Sequence, residues 1–128
     1  MSVSDYERSK NFYAMALAPL GFGVIMEFPG ADGTMACGFG VGGKPSFWIS
    51  GEGKMSPALH IAFLANDRES VDAFYEAALA AGGKDNGAPG IRAHYHANYY
   101  GAFVLDPDSH NVEGVCHKPG AVTDQKTF

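Results

Sequence analysis

Residues 66–84 read NDRESVDAFYEAALAAGGK, and residues 4–22 read SDYERSKNFYAMALAPLGF. A shift of 62 positions superimposes Asp5 on Asp67, Glu7 on Glu69, Phe12 on Phe74 and Tyr13 on Tyr75. It also superimposes Ala16, Leu17 and Ala18 on Ala78, Leu79 and Ala80, and Gly21 on Gly83. Eight identities without a gap mark a duplicated structural unit, so whatever surrounds one copy is expected around the other.

Each copy has the pattern of a helix. Ser4 and Asn66 are suitable N-caps, and Glu7 and Glu69 three residues later complete a capping-box pattern. Phe12, Tyr13, Ala16, Leu17 and Leu20 form one apolar stripe, and Val71, Phe74, Tyr75, Ala78 and Leu79 form the other. Gly21 and Gly82 supply the left-handed residues on which helices commonly end. After each helix the pattern changes to short apolar runs between glycines and prolines, which predicts strands near 23–28, 34–40 and 45–50, then 91–96, 99–105 and 110–117. DNGAPG (85–90) is expected to be a loop and DPDSHN (106–111) a turn. A further strand, ALHIAFL (58–64), leads into the second helix, and its counterpart is reduced to MSVS at the start of the chain. The prediction is an α+β fold of two tandem βαβββ modules, about 1–53 and 58–117, whose curved mixed sheets surround a cleft. Both belong to a single domain of residues 1–128, with 118–128 a mobile or partner-contacting tail.

The 128 residues, 46% of them apolar, suit one compact domain. Nine Lys and Arg against 14 Asp and Glu give a net charge of -5, and the basic residues are scattered, which argues against nucleic acid and anionic membranes as partners. No apolar run approaches the length of a membrane span, and MSVSDYERSK lacks the apolar centre of a secretion signal, so the expected location is the cytoplasm. Cys37 and Cys116 show no metal spacing and are expected to be reduced, strand-borne thiols.

Period-two alternation picks out the residues able to carry chemistry. In 58–64, Leu59, Ile61 and Phe63 belong under the helix, which directs His60 to the opposite face; Glu113 shares that direction on the last strand. A histidine and a carboxylate facing one pocket can hold a divalent metal, or form a self-satisfied polar pair on a half-exposed sheet. RAHYHANYY (92–100) concentrates His94, His96, Tyr99 and Tyr100, which can offer imidazole and hydroxyl groups to a ligand or make an aromatic hairpin surface. Trp48 in PSFWIS is core or pocket wall. GFGVGG (38–43) lies between two strands and reads as a hairpin turn, because a phosphate loop should open a helix. Asp106 and Asp108 are assigned to a β-turn.

SDYERSKNFY, its echo NDRESVDAFY, the ALHIAF strand and the ending YYGAFVLDPDSHNVEGVCH resemble the vicinal oxygen chelate superfamily, the glyoxalase, bleomycin-resistance protein and extradiol dioxygenase group, over residues 2 to about 117. The resemblance implies two βαβββ modules enclosing a cleft, often completed by a second subunit, so a homodimer is expected. It also implies a divalent metal (Zn, Ni, Mn or Fe) held by residues of the first and last strands of each module, with His60 and Glu113 matching the second module's ligands. The first module departs from this. The counterpart of His60 falls three residues before Met1, and Trp48 occupies the last-strand position, with Glu52 beyond the strand end. Either the first strand is clipped or an upstream start supplies it. The ligand set is therefore incomplete, and three readings follow: a metal-dependent lyase, isomerase or dioxygenase acting on a small molecule, with an imidazole of His94 or His96 assisting and a tyrosine orienting substrate; a metal-free binding protein of the bleomycin-resistance type, with Trp48, Tyr99 and Tyr100 as contacts; or a ligand-sensing or structural relic of the fold.

Overall fold

The computed structural model describes residues 1–30, 33–51 and 59–119. Elements follow the order α1 (Tyr6–Leu17), a 3-10 turn (Ala18–Leu20), β1 (Gly23–Pro29), β2 (Met35–Val41), β3 (Lys44–Ser50), β4 (His60–Leu64), α2 (Arg68–Ala80), β5 (Lys84–Ile91), β6 (Tyr100–Leu105) and β7 (Asn111–Cys116). They form a three-stranded sheet in the order β1-β2-β3 and a four-stranded sheet in the order β4-β7-β6-β5. This is the predicted α+β duplication. The predicted tail beyond Pro119, and Glu52, lie outside the described residues.

Both helices are capped one residue later than the sequence pattern implied. Asp5 accepts from the Arg8 amide and Asp67 from the Ser70 amide, in place of Ser4 and Asn66. Aspartate at this position satisfies an orphan amide and also complements the positive end of the helix dipole. Ser4 is committed elsewhere: its amide and hydroxyl both donate to the Asp108 carboxylate, at 3.0 and 2.5 Å. The helices end as expected on left-handed glycines, Gly21 (φ 86°) and Gly82 (φ 99°).

The β2–β3 hairpin turns on Gly42 and Gly43, both at positive φ, which is the two-glycine turn matched to strand twist. The fifth strand differs from expectation. β5 runs through the DNGAPG stretch predicted to be a loop, while 92–99, predicted in part as strand, forms turns closed by Arg92 N–H to Tyr99 O and Tyr99 N–H to His96 O. The physical reason is position: β5 is an edge strand, where Gly87 and Pro89 are accommodated by register shifts between Asp85 and Gly87 and between Gly87 and Gly90.

The opening segment pairs with β3 in parallel. Ser2 bridges Ser50 in parallel, with Val3 N–H donating to Ser50 O and Ser50 N–H to Met1 O. In the second module β4 pairs β7 in parallel, with Leu64 opposite Val115. Since Ser2 corresponds to Leu64 by the 62-residue shift, Ser50 corresponds to Val115, and two residues back Trp48 corresponds to Glu113.

The core explains how the two modules meet. Phe12, Tyr13, Ala16 and Leu17 of α1 and Val71, Phe74 and Ala78 of α2 are fully buried, and the helices pack on each other. Phe63 of β4 contacts Phe22 and Phe47 of the first module edge to face, at 5.3 and 5.2 Å between ring centres. Two close approaches depend on glycine: a Cβ on Gly114 would come within 2.8 Å of the Phe74 ring, and one on Gly83 within 2.5 Å of Val104 and 2.8 Å of Phe12. A buried hydrogen bond from the Tyr13 hydroxyl to Asp106 (2.5 Å) joins α1 to the β6–β7 turn. That turn is the predicted one, with Asp106 accepting from the Asp108 and His110 amides.

The two sheets do not close on one another. The fully buried apolar side chains lie on the helix-facing sides, so burial joins the modules there. The opposite faces stay open, and Met26, Phe28 and Leu64 remain exposed there.

Candidate functional site

The open face of the second sheet is built by strand alternation. His60 and Ala62 of β4, Glu113 of β7 and Gly101 and Phe103 of β6 share it, with Ala62 and Phe103 directly flanking Glu113. The opposite alternates, including Val104 and Val112, are buried beneath α2. His110 fixes where β4 begins, because its Nδ1 accepts the Leu59 amide at 3.0 Å.

His60 Nε2 lies 2.8 Å from Glu113 Oε1, and the Tyr99 hydroxyl donates to Oε2. Glu113 is only 1% exposed, and each of its carboxyl oxygens has a hydrogen-bond partner, as a buried polar group requires. Burial and then the Glu113 bond push the Tyr99 hydroxyl well above the ordinary tyrosine range, which keeps it a proton donor. Gly101 makes room for it, since a Cβ there would sit 3.2 Å from the Tyr99 ring. His60 is half-exposed on the other side of the carboxylate.

Two residues that the sequence reading passed over complete this face. Phe103 lies 6.2 Å from the His60 ring, and the Arg92 guanidinium stands 5.4 Å from the Phe103 ring, held by the Ala88 and Gly90 carbonyls. Phe103 was accessible from its alternation with Val104; Arg92 was hidden because its placement depends on β5 running through the stretch read as a loop, to whose Ala88 and Gly90 carbonyls it donates.

The remaining predicted residues are dispersed. His96 pairs with His117, Nε2 to Nδ1 at 2.9 Å, and the Asn98 amide donates to His96 Nδ1, which leaves His96 Nε2–H as the donor of that pair. Tyr99 touches both of these rings, so it stands between them and Glu113. His94 stacks on exposed Tyr95. Tyr100 is on the helix side, its hydroxyl donating to Asp72 of α2 and its ring under Arg68. Trp48 belongs to the first sheet, edge to face with Phe28 at 5.8 Å, and its indole covers Gly38, where a Cβ would come within 2.9 Å of it.

The donor chemistry of His60 and Glu113, an imidazole nitrogen beside a carboxylate oxygen, fits a divalent cation. It is a partial set. Among the described residues no group of three or more His, Cys, Asp or Glu side chains converges as a metal site, and Trp48 occupies the first-module position that corresponds to Glu113.

A family model described as the Glyoxalase/Bleomycin resistance protein/Dioxygenase superfamily matches residues 1–113. The chain belongs to this superfamily. A glyoxalase/bleomycin resistance protein from Albidiferax ferrireducens T118 is 28% identical, with TM-score 0.70 over 93% of this chain and 94% of that one. A family enzyme from Burkholderia phytofirmans PsJN gives TM-score 0.67 at 20% identity, covering 92% of this chain and 94% of that one. Glyoxalase I from Zea mays gives 0.66 at 21% identity, but this chain spans only 43% of its length. No curated protein matches. No helix among the described residues is long and apolar enough to cross a membrane.

Proposed function

We propose that this superfamily member binds a small organic molecule on the open face of its second sheet, with His60, Glu113 and Tyr99 as the polar anchor and Phe103 as the apolar wall. The observation that carries the reading is the buried Glu113 carboxylate, spanned by His60 at 2.8 Å and by Tyr99 and opening to solvent through a half-exposed imidazole. A largely preformed surface with a few convergent polar groups is what small-molecule sites offer. Trp48, edge to face with Phe28 at the first-module position that corresponds to Glu113, favours binding over metal-dependent turnover.

A second reading is favoured by the His60–Glu113 pair itself. These two residues would hold a divalent cation such as zinc, nickel, manganese or iron, which when bound supplies Lewis acidity toward oxygen atoms of a substrate. His60 would contribute a neutral imidazole, Glu113 a carboxylate, and Tyr99 would fix the carboxylate's second oxygen. The exposed Met26, Phe28 and Leu64 support a homodimer in which a symmetric copy covers the open faces. The free, buried Cys37 and Cys116 suit the reducing cytoplasm.

Titration calorimetry of chelator-treated protein separates the readings. Uptake of planar aromatic compounds without metal, weakened by His60→Ala and Phe103→Ala, supports the first. Tight binding of nickel, zinc or manganese that is lost in His60→Ala and Glu113→Ala replaces it with the second. Sedimentation that shows only a 13.5 kDa monomer at micromolar concentration refutes the dimer.

A further inference from the structure

A cleft of 380 Å³ lies away from His60, at the seam of the two modules, where Arg8 of α1 faces Ala81 and Gly82 after α2, Lys84 at the start of β5, and Asp106 and Ser109 of the β6–β7 turn. Its volume falls within the range of small-molecule sites. What it would take follows from which side-chain groups already have partners.

Asp106 is committed. Its Oδ1 accepts the Asp108 and His110 amides and its Oδ2 accepts the Tyr13 hydroxyl, so a buried acid in the cleft wall has little capacity left to draw in a cation. The end of α2 is largely capped as well: the carbonyls of Ala77, Ala78 and Leu79 accept the Ala81, Gly83 and Gly82 amides. The uncommitted side chains are donors. Lys84 has no hydrogen-bond or ion-pair partner among the described residues, and Arg8 has only a loose 3.9 Å contact with exposed Asp5. Ser109, held at φ 67° by the turn, adds a hydroxyl.

We propose that this cleft is a second ligand site that takes a small oxyanion, a phosphate or carboxylate group, between the Arg8 guanidinium and the Lys84 ammonium. Two cations from different modules lining one volume supply the charge that such groups select, and the planar guanidinium of Arg8 can itself bind an oxyanion in bidentate fashion. Asp106 lies in the same wall, with both of its oxygens already occupied by the turn amides and the Tyr13 hydroxyl. Because the anion would contact both modules, its occupancy would stabilise their docking by mass action.

The test uses the full chain and two probes, inorganic phosphate and succinate, at ionic strength held constant with sodium chloride. Expected are saturable shifts of the Gly82 and Ser109 amide resonances and a rise in melting temperature with at least one probe. In Arg8→Gln and in Lys84→Gln the affinity should fall roughly fivefold, with no saturable binding in the double variant. Phosphate acting alone assigns the site to phosphoryl groups, and succinate alone to carboxylates. His60→Ala should leave both titrations unchanged, which separates this site from the open face of the second sheet. The proposal is overturned if chloride alone reproduces the shifts, or if the double variant, melting as wild type does without added anion, responds like wild type.

Discussion

Tyr13→Phe tests the contact that ties the first helix to the second module. The Tyr13 ring is fully buried and would remain so as phenylalanine, packed on Phe12 and Phe47 at 4.9 Å each; what disappears is the hydroxyl that donates to Asp106. Asp106, 5% exposed, keeps its two amide donors and loses the third partner. Removing a hydrogen bond to a buried charged group costs about 1.5–3 kcal/mol. For a chain of this size that corresponds to a melting temperature lower by roughly 5–10 °C. The difference should also depend on pH. Burial, and then the Asp106 charge, raise the Tyr13 hydroxyl far above the ordinary tyrosine value. A raised value means stability that is fully present below the unfolded tyrosine pKa of about 10 and is lost as pH rises toward the folded one. Urea denaturation of wild type and Tyr13→Phe, followed by circular dichroism, should therefore give a constant gap up to about pH 9 that narrows above pH 10. A gap below about 0.5 kcal/mol at pH 7, or one that does not narrow, would refute the reasoning.

Gly83→Ala should destabilise by about 1–3 kcal/mol in thermal melts, because its Cβ would meet Val104, Phe12 and the Ala78 carbonyl at once and the backbone atom cannot rotate away. Glu27, whose carboxyl is held below its usual range first by the Tyr6 hydroxyl and then by Lys10, stabilises the fold above the unfolded carboxylate value of about 4.3 and ceases to as pH falls through the lower folded value. Stability curves of Glu27→Gln should accordingly fall less steeply with acid than those of wild type. Gly43→Ala, at φ 80° in the β2–β3 turn, should cost about 1 kcal/mol or more in denaturant unfolding while leaving the His60–Glu113 region unshifted in NMR spectra.

The internal repeat determined most of this architecture by itself. Helix stripes, terminal glycines and strand alternation are local properties written in the order of residues, and the direction of His60 and Glu113 to one face follows from them. The cap was misjudged by one residue because Ser4 and Asp5 are both competent caps, and only the fold brings Asp108 to Ser4 and leaves Asp5 for the helix. β5 was unreadable in DNGAPG because glycine and proline lose their meaning as breakers on an edge strand with irregular register. Tertiary structure alone decided that 92–99 would turn back, setting Arg92 over Phe103, Tyr99 on Glu113 and His96 on His117, since these partners are distant along the strands and no periodicity connects them. It also decided that the modules join through their helices and leave both open faces uncovered, because burial acts on whole surfaces while sequence pattern speaks for one element at a time.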